Sequence, residues 1–182
     1  MEEEIESNSI KIIVLPIVLH HKQIPVKTIK KREVTKKGTW VKKISKEDFT
    51  KAAQLSLLTA APDSENKKQS LMYSQIKQKI CGYWHQDTLK KKINEQSFVD
   101  LPFVIQLLIQ SDLLCFYCRE DVHLFYEQVR DPKQWTLERL YNTKGHDKGN
   151  VEICCLSCNI KRRTMFHEKY KFTKQITFQK ET

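Results

Sequence analysis

The sequence lacks a long hydrophobic run, a basic amino-terminal segment, an internal repeat and a long flexible linker. Its longest apolar run, residues 12–19, is too short to span a bilayer and contains Pro16. Its first nine residues are acidic and polar, whereas a secretory signal begins with a basic region. We therefore expect a soluble, intracellular protein that has no membrane partner.

Basic residues clearly outnumber acidic ones. The chain has 32 Lys and Arg against 22 Asp and Glu, which gives a formal net charge of +10. Such a balance favours a polyanionic partner, and nucleic acid is the commonest one. A lysine-rich surface in contact with solvent would have the same composition. Charge therefore suggests a partner but does not decide the fold or the chemistry.

The first 112 residues are predicted to be mostly helical. Residues 10–19 are an exception, because they are rich in β-branched residues and favour a strand, which Pro16 would restrict to an edge. In the basic stretch 27–46, Trp40 either anchors the segment to the core or stacks on a base. Three helices are predicted after it, over residues 45–61, 66–84 and 97–114.

Three residues of these predicted helices carry expectations of their own. Ser45 is a suitable N-cap for the first helix. Pro102 is tolerated in the first turn of the third. Cys81, in the second, has no cysteine at ligand spacing, and we expect a buried thiol there.

Four of the six cysteines form two pairs with metal-ligand spacing, Cys115 with Cys118 and Cys155 with Cys158. Two intervening residues let both sulfurs of a pair point at one ion, and four thiolates make a closed structural zinc site. A reducing compartment likewise favours metal over disulfides. The alternative is four unrelated core cysteines. Cys154 could replace Cys155, but the spacing favours Cys155, and Cys154 is expected to face the other way on its strand.

The 36 residues between the two pairs exceed the usual zinc-finger spacing, so the pairs should clamp an intervening element. Residues 136–140 alternate leucines with charged residues and predict a short strand, and residues 141–150 are rich in Asn and Gly and predict a loop. A second strand over 151–155 and a helix that opens near Asn159 follow. Together these elements form a ββα-metal arrangement.

The fold class predicted for the whole chain is α+β. A basic, mostly helical region over 1–112 is followed by a zinc-stapled ββα-metal module over 113–175 and a tail over 176–182.

The span from Cys115 to Arg163 resembles the zinc-containing HNH endonucleases of the treble-clef, ββα-metal class. Within that class it is similar to phage recombination endonucleases that resolve branched DNA, and to related small proteins of large DNA viruses. The motifs that carry the resemblance are "CFYC", "WTLERL", "GHDKGNV", "CLSCN" and "IKRR". If the protein is viral, the resemblance implies that it acts in the nucleus or cytoplasm of a host cell.

The resemblance implies a metal-dependent DNA endonuclease with structural zinc and one catalytic Mg²⁺ or Mn²⁺. Glu138 would be the acidic ligand of the catalytic metal and Asn159 the second ligand. Asn150 would tie the loop to the first strand and position the base. The implied partner is DNA, with branched and single-stranded forms among the candidates, and junction-resolving relatives imply a homodimer.

The sequence departs from the family at Arg139, where the catalytic His should directly follow the acidic residue. Arginine stays protonated and cannot act as a general base. His146 is the nearest imidazole and the natural substitute, while Arg139 is suited to clamp the scissile phosphate. Lys161, Arg162 and Arg163 are expected to contact phosphate, because a basic first helical turn is otherwise unfavourable.

Three of the catalytic candidates also have a purely structural alternative. His146 could stabilise its loop by hydrogen bonding, Glu138 could pair with Arg139 or Arg163 on a solvated face, and Asn159 could cap its helix. At the level of function, the alternative is a non-catalytic, zinc-stabilised DNA- or RNA-binding protein of viral replication or transcription, which Arg139 favours. A protein-interaction scaffold is a third candidate.

Overall fold

The computed structural model describes residues 44–126 and 130–176. After a short 3-10 helix (Lys46–Phe49), the elements are α1 (Lys51–Thr59), α2 (Lys67–Leu89), α3 (Leu101–Gln110), β1 (Trp135–Arg139), β2 (Val151–Cys155), α4 (Leu156–Arg162) and α5 (His167–Gln175). The two strands form one antiparallel sheet, so the predicted α+β class is confirmed. The predicted strand over 10–19, the basic stretch up to residue 43 with Trp40, and residues 177–182 lie outside the described residues.

Side chains cap the first three α-helices by accepting hydrogen bonds from free backbone N–H groups. Thr50 caps α1, Asn66 caps α2 and Asp100 caps α3. Ser45 was expected to begin the first α-helix, but it begins the 3-10 helix instead. Its backbone N–H and hydroxyl both donate to Asp48, at 2.7 and 3.0 Å, and the extended backbone at Thr50 separates this turn from α1.

Helix α2 is 23 residues long, and Met72 and Ile76 lie on its buried face. Cys81 is exposed, so the prediction of a buried thiol there is wrong. It follows Ile76 by five positions, which places it about 140° around the helix from the buried face. Among the described helices, none combines the length and the apolar composition that crossing a membrane requires.

Buried residues on both sides of position 112 belong to one hydrophobic core. Helix α3 contributes Val104 and Leu108, and the sheet contributes Leu137 and Ile153, which are register partners. The predicted domain boundary at 112/113 stays a prediction. The hydrophobic core continues across this position, since residues on both sides of it belong to the same cluster. The largest fully buried apolar side chains are Trp135, Tyr117, Phe125, Met72, Ile76, Leu108, Leu113, Leu124, Leu137 and Ile153.

Helix α4 begins at Leu156, three residues earlier than the sequence suggested. The Cys155 sulfur accepts a hydrogen bond from the backbone N–H of Cys158 at 3.4 Å and acts as the N-cap. Asn159 therefore lies inside the helix, and the alternative that it caps the helix is wrong. Lys161 and Arg162 lie in the last turn, where the helix dipole favours positive charge, so the dipole gives no reason to assign them to phosphate.

Candidate functional site

The two cysteine pairs meet in one cluster, as their spacing predicted. The sulfurs of Cys115, Cys118, Cys155 and Cys158 all lie within 4.8 Å of one another, and all but Cys118 are buried. The first pair lies just after α3, while the second spans the junction of β2 and α4. Four sulfur donors at these separations suit a structural metal ion.

A fifth thiol borders this cluster. The sulfur of Cys154 lies 3.7 Å from that of Cys115, and Cys154 is completely buried. The prediction that Cys154 faces away from the cluster is therefore wrong. Strand alternation would separate Cys154 from Cys155, but the chain enters α4 directly after Cys155 and the alternation ends there.

A polar cavity of about 330 Å³ lies between the sheet, the loop over 141–150, α4 and α2. It collects most of the residues that the sequence singled out, although Asn150 and Lys161 do not line it. Its lining residues are Tyr83, Gln86, Thr136, Leu137, Glu138, Arg139, Asn142, His146, Leu156, Asn159, Arg162 and Arg163.

Glu138 lies in a closed environment, since only 4% of its surface is exposed. Its carboxylate forms an ion pair with Arg162, and both side chains are buried. The alternative of a pair with Arg139 or Arg163 on a solvated face is therefore wrong, both in the partner and in the exposure to solvent. Burial raises the pKa of Glu138 to about 7, and this effect outweighs the opposing charges of Arg162 and Arg139.

The guanidinium of Arg162 is buried and makes hydrogen bonds throughout. Besides Glu138, it donates to the carbonyl oxygens of Met165 and Arg139 and to the side-chain oxygen of Asn142, each at 2.7 Å. A phosphate contact from Arg162 would require some of these bonds to break. The observed contacts give Arg162 the role of joining α4 to β1 and to the loop that follows it.

Asn159 points its amide nitrogen at β1, where it donates to the Thr136 hydroxyl at 3.2 Å and to the Leu137 carbonyl at 3.4 Å. The side-chain oxygen is the end that these bonds leave available to a ligand in the cavity. Asn159 follows Cys158 directly, so the cysteine cluster and this amide are held by the same turn of α4.

His146 is 3% exposed, and its ring stacks on Tyr83 with centroids 4.3 Å apart. Its Nδ1 lies 2.9 Å from Oδ2 of Asp87, which also accepts the backbone N–H of His146 at 2.5 Å. Burial lowers the pKa of His146, and Asp87 opposes this only in part. The imidazole is therefore neutral at neutral pH.

Asp87 and Tyr83, both on α2, belong to the site, and sequence analysis did not identify Asp87. A usable signal was present, because Asp87 follows Tyr83 by four residues and so shares the inward face of the helix. A carboxylate on such a face needs a specific partner.

Asn150 makes the contacts expected of a residue that ties the loop together. Its side-chain oxygen accepts the backbone N–H of Tyr141 at 3.0 Å, and its amide nitrogen donates to the carbonyls of Tyr141 at 3.2 Å and Gly145 at 2.9 Å. Gly145 directly precedes His146. Asn150 therefore sets the path of the loop that carries the imidazole.

Two further basic side chains, Arg139 and Arg163, line the cavity, while Lys161 lies outside its lining. The Nη1 atom of Arg139 lies 3.3 Å from the Lys144 carbonyl and 3.8 Å from Oδ1 of Asp87, and the Arg139 side chain is 15% exposed. Arg163 and Lys161 are exposed at the end of α4. These three remain the candidates for phosphate contact.

No protein-family model, curated protein or solved structure matches this chain.

Proposed function

We propose that the protein is a metal-dependent DNA endonuclease of the HNH type, which hydrolyses phosphodiesters in the cavity beside a structural zinc. The observation that carries the proposal is the convergence of Glu138, Asn159, His146 and Arg139 on one cavity. They supply two oxygen ligands, a neutral imidazole and a guanidinium. A phosphodiester can be cleaved by one bound cation with these groups, which would hold the cation, accept the proton of the attacking water and bind the phosphate.

The four-sulfur cluster suits zinc by its chemistry and its dimensions. Zinc bound by four thiolates has Zn–S distances of about 2.3 Å, which place the sulfurs of a tetrahedron about 3.8 Å apart. The sulfurs of Cys118 and Cys155 lie 3.9 Å apart. Four protein ligands leave no open position, so this ion would stabilise the fold and take no part in the reaction.

The donors in the cavity suit a different cation. Carboxylate and amide oxygens are ligands that Mg²⁺ and Mn²⁺ accept, and Glu138 and Asn159 present them from adjacent elements. Arg162 contacts Oε1 of Glu138, so the other carboxylate oxygen is the one available to the cation. When bound there, the cation would stabilise the charge that develops on the leaving oxygen.

The remaining residues would handle the proton and the substrate. His146 keeps Nδ1 against Asp87, so its Nε2 is the atom that would take the proton of the attacking water. Arg139 would hold the scissile phosphate, for which its planar fork is suited. Arg163, which lines the cavity, and Lys161, which is exposed on α4 outside the lining, would contact the flanking backbone phosphates.

The test is a cleavage assay with zinc-loaded full-length protein on labelled duplex, single-stranded and four-way-junction DNA, with Mg²⁺ or Mn²⁺ added or withheld. The variants are Glu138→Gln and Asn159→Ala. Glu152→Gln is a matched control, because Glu152 is the register partner of Glu138 on β2 and lies outside the cavity lining. We expect cleavage that needs the added cation, is lost in both site variants and persists in the control.

Absence of cleavage on all three substrates would contradict the proposal. If binding were then tight, equally strong in the variants and steeply weakened by salt, the protein would be a non-catalytic zinc-stabilised DNA- or RNA-binding protein. The specific observation behind this second candidate is Arg139, which occupies the position of the usual catalytic base.

A further inference from the structure

We infer that Asp87 is a positioning residue of the candidate site, which orients His146 and Arg139 from a single buried carboxylate. The inference deepens the proposed function, since it assigns to α2 the group that prepares the proposed base. Asp87 lies 59 residues before His146 in the chain and outside the span between the cysteine pairs.

One carboxylate oxygen holds His146 at two points. Oδ2 of Asp87 accepts the backbone N–H at 2.5 Å and faces Nδ1 of the ring at 2.9 Å. An ionised carboxylate can only accept hydrogen bonds, so Nδ1 must carry the proton of the neutral imidazole. Nε2 is then the unprotonated atom, and proton acceptance requires such an atom. Tyr83 stacks on the ring at an interplanar angle of 29° and limits its rotation.

The other carboxylate oxygen faces Arg139. Oδ1 of Asp87 lies 3.8 Å from Nη1 of Arg139 and, within residues 44–126 and 130–176, it is buried without a hydrogen-bond partner. Its attraction for the guanidinium is strengthened by complete burial of the Asp87 side chain. Asp87 thus keeps the proposed phosphate-binding group beside the proposed base.

The loop is built to admit this carboxylate. A Cβ on Gly145 would lie 2.8 Å from Oδ2 of Asp87 and 2.5 Å from the carbonyl oxygen of Lys92. Both distances are shorter than non-bonded contacts allow, so the approach of α2 to His146 depends on glycine at this position. The site therefore extends to α2, although every motif of the family resemblance lies between Cys115 and Arg163.

The test compares wild type with Asp87→Asn in the full-length, zinc-loaded chain. Asp112→Asn is the matched control, since it removes the same charge from an exposed side chain, and Asn tolerates the φ of 51° at that position. Nitrogen-15 NMR of the histidine rings reports the tautomer of each, and His146→Gln identifies the His146 signals among the six histidines. Zinc content and circular dichroism check that each variant is folded.

We expect wild-type His146 to carry its proton on Nδ1, and Asp87→Asn to lower the share of this tautomer, because a neutral amide oxygen is a weaker acceptor than a carboxylate and an amide nitrogen turned toward Nδ1 would meet the backbone N–H of His146 as a second donor. Cleavage should fall about 100-fold or more in Asp87→Asn and stay unchanged in Asp112→Asn. A wild-type proton on Nε2, or an Asp87→Asn variant with wild-type tautomer and cleavage, would overturn the inference.

The tautomer is measured without any DNA, so it separates this inference from the proposed function. Wild-type protein that cuts no DNA but has the proton on Nδ1 would contradict the nuclease and support the role of Asp87. If Asp87→Asn failed to fold, the wild-type tautomer alone would still decide between support and rejection.

Discussion

Burial acts in opposite directions on the pKa values of two ionisable groups in the cavity. It raises the pKa of Glu138 and lowers that of His146, because in both cases the low-dielectric interior disfavours the charged form. The fixed positive charges of Arg139 and Arg162 meanwhile remain. The three guanidinium groups in the lining, those of Arg139, Arg162 and Arg163, outnumber the two nearby carboxyl groups, those of Glu138 and Asp87, so the net charge around the cavity is positive and suits an anionic ligand.

The lowered pKa of His146 predicts a specific dependence of stability on pH. The unfolded chain titrates this group near 6.5, and the folded protein titrates it lower. Between these two values the unfolded chain binds more protons, so the free energy of unfolding falls as the pH falls from about 6.5 through the native pKa. Urea unfolding at several pH values should show this loss.

The corresponding control is His146→Gln, which has no group to titrate and should lose less stability over the same pH interval. Protonation of the cysteine ligands also weakens metal binding at low pH. Because both proteins share that effect, the difference between their pH profiles isolates His146. Identical profiles would show that His146 does not have a lowered pKa in the folded protein.

The sequence predicted most residues of the cavity correctly, but it did not predict their hydrogen-bond and ion-pair partners. Glu138 and Asn159 were predicted from the family resemblance and His146 as the imidazole nearest to Arg139, and all three line the cavity. Asp87 was missed because its contact depends on long-range packing. The partner of Glu138 was wrong because the predicted helix start near Asn159 put Arg162 in the first turn and assigned it to phosphate, whereas Arg162 lies in the last turn of α4.

The loop over 141–150 contacts helix α2 and the residues after it so closely at Gly145 that no side chain fits there. A Gly→Ala substitution at this position therefore tests the packing. Gly145→Ala should lower the free energy of unfolding by about 1–3 kcal/mol, since its Cβ would overlap the Lys92 carbonyl and Asp87. Gly82→Ala is the contrasting variant. It lies within α2 with nothing within 4 Å of the added Cβ, and should stabilise the protein by about 0.5–1 kcal/mol.

Chemical denaturation of both variants beside wild type measures these opposite effects. Equal stability of Gly145→Ala and wild type would mean that the loop can move away from α2 without cost. In that case Asp87 could not hold His146 as closely as the distances indicate.

Among the elements, those with local signals were predicted best. The strand expected over 136–140 is present as β1, one residue earlier, and the strand over 151–155 and the helix that contains Pro102 are present as expected. The start of α4 was not predicted, because a cysteine sulfur is not a usual N-cap and its hydrogen bond exists only where the cluster has formed. The split between the 3-10 helix and α1 was missed because Ser45 and Thr50 both carry capping signals five residues apart.

For the whole molecule, the cluster predicts one tightly bound zinc per chain. Cys118→Ser should reduce the zinc content below one equivalent and lower the melting temperature markedly, because binding of a structural metal contributes directly to folding. Cys81→Ser should keep one zinc, since Cys81 is exposed on α2. Metal analysis after gel filtration, combined with thermal unfolding, makes the comparison.

Cys154→Ser makes this prediction sharper. Cys154 lies against Cys115 but is not one of the four sulfurs that all lie within 4.8 Å of one another. We therefore expect Cys154→Ser to retain a full equivalent of zinc. Loss of zinc in Cys154→Ser, together with full zinc content in Cys155→Ser, would show that Cys154 is the metal ligand and Cys155 is not.

The two cysteine pairs also change the connectivity of the chain when they share an ion. Coordination closes residues 119–154 into a ring that contains β1, the loop over 141–150 and most of β2. By the relation used for disulfides, closing a ring of this length removes unfolded-state entropy equivalent to about 4 kcal/mol. A protease that cut once inside the ring would leave both halves joined by the metal as well as by β1–β2 pairing and the core, so under conditions that unfold the protein but keep the metal bound, the two fragments would separate only after a chelator removed the metal.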